Sequence, residues 1–268
     1  MSRVLVTGGS GFLGSSVVAG LAASENVEFV IGADIRRPSP WVRVPGVLYG
    51  RLDVTDAPEL PELLRSYAID TVVHLASIVN PGKHTTVAQE FAVDVEGSRT
   101  VFDACVEVGV KRVVVSSSGA AYGYHRDSPE WLTETDPLRG SDDFPYSRHK
   151  CMVEEMLAEL RETAPQLTQI LFRIGTILGP GVNNQITALW DARRVLTIVG
   201  SESPFVFVRV DDVVGRTLRL TPHGPAQVKF LRYRSVLDNT ALKDVFGFTP
   251  HRTSREAFEG YIEARPQR

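Results

Sequence analysis

At 268 residues, with 43% hydrophobic and 23% charged side chains, the chain can bury a full core as one α/β domain, alone or with a small appendage, which excludes a disordered protein. A formal net charge of -3, with no run of lysine or arginine, offers no stripe to follow nucleic-acid phosphates. The two cysteines, Cys105 and Cys151, are too few for a disulfide framework, and the six scattered histidines lack H-E-x-x-H or paired-cysteine spacing, so no metal site is expected.

Met1 leads directly into Val4-Leu5-Val6, a buried-strand pattern rather than the charged-then-apolar order of a signal peptide. No apolar stretch approaches the ~18 residues of a membrane span. A soluble cytoplasmic protein is therefore expected. From here short apolar runs alternate with segments of helical period. Strands are predicted at Arg3–Val6, Glu28–Ala33, Val47–Gly50, Thr71–Leu75, Arg112–Ser116 and Thr168–Phe172, with helices near Gly11–Ser24, Ala57–Tyr67, Thr86–Val108 and Tyr146–Thr163. That alternation marks repeated βαβ units around a parallel sheet with helices on both faces. Past Gly175 the pattern gives way to Gly179-Pro180-Gly181, one apolar strand (Phe205–Val210), a helix from about Val213 and a terminal helix near Arg255–Ala264. The expected division is a Rossmann-type dinucleotide-binding domain over residues 1–175 and a small substrate-binding region over 176–268, interleaved with the main domain.

The first strand-to-helix turn reads Thr7-Gly8-Gly9-Ser10-Gly11-Phe12-Leu13-Gly14. Gly8 and Gly11 allow a tight turn and close approach of backbone amides to a pyrophosphate, Gly14 allows close packing of helix on sheet, and the helix N-terminus supplies partial positive charge. The second strand ends in Gly32-Ala33-Asp34, where a carboxylate can accept hydrogen bonds from both ribose hydroxyls; this favours NAD over NADP, whose 2′-phosphate would meet a like charge. Arg36 and Arg37 follow, either as solvated loop charges or as partial compensation for such a phosphate.

In Tyr146-Ser147-Arg148-His149-Lys150 the four-residue spacing places Tyr146 and Lys150 one turn apart on one helix face. An ammonium beside a phenol favours the phenolate and makes a usable acid/base pair. Ser116-Ser117-Ser118-Gly119-Ala120-Ala121-Tyr122-Gly123 lies where a parallel strand ends, the edge at which open α/β sheets bind ligands, and a serine there can stabilise a developing alkoxide.

Together these segments resemble the extended short-chain dehydrogenase/reductases, the NAD-dependent epimerase/dehydratase group. The resemblance takes in the glycine turn, Asp34, Asp53-Val54, His74-Leu75-Ala76, Ser116-Ser117-Ser118 with Tyr122-Gly123, Tyr146 with Lys150, and Val208-Arg209-Val210-Asp211-Asp212-Val213. It implies cofactor contacts from Gly8, Gly11, Phe12, Leu13, Asp34, Arg36, Asp53, Val54, Leu75, Ala76, Ser77, Ser116, Tyr146, Lys150 and Ile174. Ser118, Tyr146 and Lys150 are the implied catalytic residues, and Ser118, Gly119 and Asn183 the implied substrate contacts.

The implied activity is hydride transfer at a secondary alcohol of a sugar or sugar nucleotide, in an epimerase-type cycle. Two alternatives stay open: a dehydrogenase of a small, uronate-like sugar or other alcohol with exchangeable NAD, and a dinucleotide-sensing module without turnover. The region after Arg173 is short for a sugar-nucleotide enzyme, and Arg173-Ile174-Gly175 is similar to compact uronate dehydrogenases. Gly119-Ala120 stands where dehydratases carry an Asp-Glu pair, which argues against elimination of water. Two further departures are Asp94 in place of the family's asparagine and Arg209 in place of a histidine. Pairing of two copies through the helices Thr86–Val108 and Tyr146–Thr163 is usual in the family, although their apolar faces equally suit packing within one chain.

Overall fold

Val4 and Val6 face one side of the central sheet and Leu5 the other, so successive residues of the first strand feed two separate cores. Strands buried on both faces read as continuous apolar runs, which is why the sheet was legible as parallel. The computed structural model describes residues 1–182, 187, 206–218, 236–237, 243 and 247–264. In chain order the elements are β1 (Ser2–Thr7), α1 (Phe12–Ala22), β2 (Val27–Asp34), β3 (Leu48–Arg51), α2 (Leu60–Ser66), β4 (Thr71–His74), α3 (Val87–Phe91), α4 (Gly97–Val108), β5 (Arg112–Ser118), β6 (Trp131–Leu132), α5 (Pro145–Thr163), β7 (Thr168–Ile174), β8 (Thr176–Leu178) and β9 (Phe207–Arg209). Helices Val210–Leu218 and Ser254–Glu263 follow.

The main sheet has six parallel strands in the order β3-β2-β1-β4-β5-β7, a doubly wound Rossmann arrangement whose order reverses between β1 and β4. One face packs Leu5, Ile31, Val72 and Val113 against Leu60 and Leu64 of α2, Val101 and Phe102 of α4, and Leu157 of α5. The opposite face packs Val4, Val6, Val73 and Val114 against Val17, Val18 and Leu21 of α1 and Val213 of the Val210–Leu218 helix.

The segment expected as one helix over Thr86–Val108 is interrupted by a π-turn at Ala92–Glu96, between a Thr86–Gln89 capping box and a left-handed stop at Gly109. Helical period alone does not reveal an extra residue in one turn. The late apolar strand is shorter than its hydrophobic run, because Val210 already begins the helix expected from Val213. Beyond the main sheet, β8 and β9 pair in parallel. Gly175 makes this approach possible, since a Cβ there would lie 2.8 Å from the Val206 carbonyl oxygen. Among the described residues no helix is long and apolar enough to cross a membrane, and no group of three or more His, Cys, Asp or Glu side chains could hold a metal.

Candidate functional site

The carboxyl ends of β1, β4, β5 and β7 gather the singled-out residues around the point where strand order reverses. At β1, Gly8 takes φ +68° and its Cα sits so close to the next strand that a Cβ would lie 2.8 Å from the Ala76 nitrogen. A Cβ on Gly14 would come within 2.0 Å of the Gly8 carbonyl oxygen. Gly9, which the motif spacing left without a role, has the same kind of constraint: its Cβ would meet the Gly32 Cα at 3.0 Å. Helix α1 has no side-chain cap and no acidic residue in its first turn, so its leading amides stay available to an anion.

Asp34 closes this turn from the end of β2. Its Oδ2 accepts from the Ser10 amide at 3.0 Å and its Oδ1 from the Arg36 amide at 3.3 Å, while the Arg36 side chain is exposed. Phe12 and Leu13, in the first turn of α1, are half-buried; Leu13 packs against the core, and a Cβ on Gly179 would lie 3.4 Å from the Phe12 ring, so the chain after β8 passes close to the glycine turn. Asp53 caps its own turn by accepting from the Thr55 amide and hydroxyl, and Val54 is buried against Gly97.

A buried polar chain runs behind the turn. The Ser98 hydroxyl donates to the Asp94 carbonyl at 2.6 Å, so it accepts from His74 Nε2 at 3.0 Å; Nδ1 is then left to accept from the Thr7 hydroxyl at 2.8 Å. Burial, with a smaller contribution from the Lys150 charge, pushes the His74 pKa from 6.5 down to about 3, which keeps the ring neutral. Burial also pushes both thiols, Cys105 and Cys151, up to about 12, and neither is in a disulfide.

At the other side of the crevice, Pro145 at the start of α5 and the extended Phe144 before it set the helix entry. Tyr146 is half-buried, Lys150 is buried, and the Lys150 ammonium lies 5.6 Å from the Tyr146 ring centroid. Lys150 Nζ donates to the Ser116 carbonyl at 3.0 Å, tying the helix to β5. Ser118 accepts from the Ala120 amide at 3.2 Å and opens a 3₁₀ turn, Gly119–Tyr122, in which Gly119 is buried. The Ala120 carbonyl in turn accepts from the Ser147 hydroxyl, fixing the turn to the first turn of α5. Tyr124, Phe144 and Tyr146 form a row of rings with centroids 5.5 and 6.0 Å apart.

Sequence spacing did not reveal the support below this arrangement. Glu154, one turn beyond Lys150, accepts from the Ser117 hydroxyl and from both Nε and Nη2 of Arg173, and Arg173 also donates to the Tyr122 hydroxyl. Burial works against the Arg173 charge, but the hydrogen bond and charge of Glu154 outweigh it and hold its pKa above the usual value. Burial likewise raises the Tyr122 phenol, partly offset by Arg173. The spacing 146, 150, 154 was the available signal. Ile174 is buried at the end of β7, and Ser77 donates to Asp94 at 2.9 Å. Arg209 is paired with Asp211 at 2.7 Å and lines a small cleft with Gly179, Pro180, Gly260 and Tyr261. Asn183 lies outside the described residues.

Sheet order and glycine turn define a Rossmann-type α/β protein. Residues 4–229 match the NAD dependent epimerase/dehydratase family, and the chain belongs to that family. An uncharacterized protein of Mycobacterium tuberculosis is 23% identical over 98% of this chain and 84% of its own length. The UDP-glucose 4-epimerase of Azospirillum brasilense is 31% identical over 66% of this chain, but the match spans only 49% of that epimerase. The structure of the Thermus thermophilus UDP-glucose 4-epimerase complex with NAD has the same fold, with a TM-score of 0.76 at 24% identity over 98% of each chain.

Proposed function

We propose that this chain is an NAD-dependent oxidoreductase that transfers a hydride at a secondary alcohol of a sugar or sugar nucleotide, in an epimerase-type cycle. The observation that carries the reading is the position of Tyr146 and Lys150. They stand one turn apart, anchored to β5 through Ser116 and beside the Ser118 turn, at the same sheet edge as the glycine turn. The site fits a dinucleotide: uncapped α1 amides for the pyrophosphate, the Asp34 carboxylate for the adenosine ribose, and a Leu75-Ala76 backbone packed against Gly8. NAD, when bound, supplies the hydride acceptor.

The chain's own groups then handle the proton and the orientation. Tyr146 Oη takes the proton of the substrate hydroxyl as its carbon loses hydride, and gives it back when the hydride returns. Lys150 supplies positive charge close to that phenol, and the Ser118 hydroxyl donates to the substrate oxygen. The names of the epimerases that this chain resembles support a nucleotide-linked hexose as the substrate class.

The test is Tyr146→Phe, assayed with UDP-glucose, UDP-galactose and free glucuronate. Loss of turnover by about 10²–10⁴-fold with NAD affinity retained is the expected result. A variant that turns over like the wild type removes Tyr146 from the reaction, and a wild type that binds NAD but converts no probe favours a sensing role. Interconversion of the sugar nucleotides without net NADH indicates the epimerase cycle, whereas net NADH from any probe indicates a dehydrogenase.

A further inference from the structure

Asp94 lies buried in the π-turn between α3 and α4, a kind of turn frequently found at functional sites. Its side chain is 1% exposed and that of His149 is 4% exposed, yet the two face each other with Oδ2 3.2 Å from Nδ1. The other carboxylate oxygen accepts from the Ile78 amide at 2.8 Å and from the Ser77 hydroxyl at 2.9 Å. One carboxylate therefore holds two pieces of chain that share no sequence neighbourhood. Ser77 and Ile78 continue directly from Leu75-Ala76, the backbone that packs against Gly8. His149 precedes Lys150 and lies within the turn that joins it to Tyr146.

An apolar pair at these positions would pack α5 as firmly without fixing its rotation or its height over the sheet. A buried carboxylate with three directed bonds fixes both, because each bond demands an orientation. Since an ionised carboxylate only accepts, His149 Nδ1 carries the hydrogen in this contact. The Phe91 ring meets the imidazole edge-on at 5.6 Å and limits its rotation from the α3 side.

We propose that Asp94 and His149 form a positioning brace that sets the acid/base helix against the Ser77–Ile78 segment, which continues from the Leu75-Ala76 backbone beside the glycine turn, acting on the reaction only through Tyr146 and Lys150. This rests on the functional reading above. Neither residue touches substrate, and the effect is one of aim: a displacement of about 1 Å in such a site costs up to ~10²-fold in rate.

The test compares full-length wild type with Asp94→Asn, Asp94→Ala, His149→Leu and the Asp94→Ala/His149→Leu double variant. Single-turnover reduction of bound NAD by UDP-glucose is read beside NAD affinity and deuterium uptake at the Ile78 amide. Asp94→Ala is expected to slow reduction by about 30-fold with NAD affinity within about threefold, and the double variant to be no slower, because both changes break one brace. Asp94→Asn keeps an oxygen for Ile78 and Ser77 and presents an amide N–H to the imidazole, so it recovers most of the rate.

Two results overturn the brace: Asp94→Ala reducing NAD at the wild-type rate, or rate, NAD affinity and thermal stability falling together in both Asp94 variants. If the wild type reduces no NAD with UDP-glucose, the functional reading is what fails for that probe. The brace is then decided by exchange: faster exchange at Ile78 in His149→Leu supports it, and unchanged exchange refutes it.

Discussion

Glu154 and Arg173 meet in a two-pronged ion pair with Nη2 2.7 Å from Oε2 and Nε 2.9 Å from Oε1, both side chains less than a tenth exposed. The pair joins the helix of Lys150 to the strand beside β5, and its remaining bonds grip Ser117 and Tyr122 on either side of Ser118. Replacing Arg173 with Met leaves a buried carboxylate without its charged partner, held only by the Ser117 hydroxyl. The expected loss is about 3–5 kcal/mol of stability, a fall of roughly 10 °C in Tm. Exchanging both residues, Glu154→Leu with Arg173→Met, is expected to recover most of it. Thermal and urea unfolding measure both, and a single Arg173→Met variant as stable as wild type would remove the pair from the support of the site.

His74 gives the fold a pH dependence of predictable sign. Its pKa lies at about 3 in the folded chain against an ordinary 6.5, so between those values the unfolded chain binds a proton that the folded one refuses. Stability from this residue is complete above pH 6.5 and declines by up to about 1.4 kcal/mol per pH unit as pH falls toward 3. In His74→Gln that acid slope is expected to flatten, as read by urea midpoints across the range. An unchanged slope would mean that His74 is not the group responsible.

The sheet and the two sides of the crevice were legible because they depend on local patterns: apolar runs for strands buried on both faces, glycines where Gly8 and Gly14 leave no room for a Cβ, and the four-residue step from Tyr146 to Lys150. Elements were placed to within a few residues for the same reason. What escaped was everything decided by partners far apart in the chain. Asp94 was visible only as a departure from a motif, and its meeting with His149, 55 residues away, needed the fold. Glu154 carries no motif of its own, and its role follows only from Arg173, which meets it from β7. Arg173 itself was singled out for its similarity to compact uronate dehydrogenases, and in the structure it is committed to Glu154 and Tyr122.

Gly14 provides a steric test of the turn. A methyl group there would sit 2.0 Å from the Gly8 carbonyl oxygen, a clash with backbone that no rotamer relieves. Gly14→Ala is expected to cost about 1–3 kcal/mol and to displace the α1 amides enough to weaken NAD binding at least tenfold. Binding by fluorescence titration at a temperature where the variant remains folded separates the two effects. Unimpaired binding would move the pyrophosphate away from this turn.

Asp34 is expected to set the choice of dinucleotide. Its carboxylate already accepts from the Ser10 and Arg36 amides, so it is fixed where a 2′-phosphate would be repelled, and the exposed Arg36 offers only screened compensation. Wild type should bind NAD at least tenfold more tightly than NADP, and Asp34→Asn should narrow that ratio by raising NADP affinity. Equal affinities in the wild type would contradict this role.

In the proposed function the glycine turn, Asp34 and the α5 helix together hold one dinucleotide, and a single binding experiment bears on all three. That arrangement is tested most directly by unfolding the purified protein to strip any nucleotide, refolding it, and titrating NAD calorimetrically. Saturable binding of one NAD per chain is expected, with nucleotide released by the stripping step if the cofactor is retained between turnovers. A correctly refolded chain that takes up no NAD would contradict it.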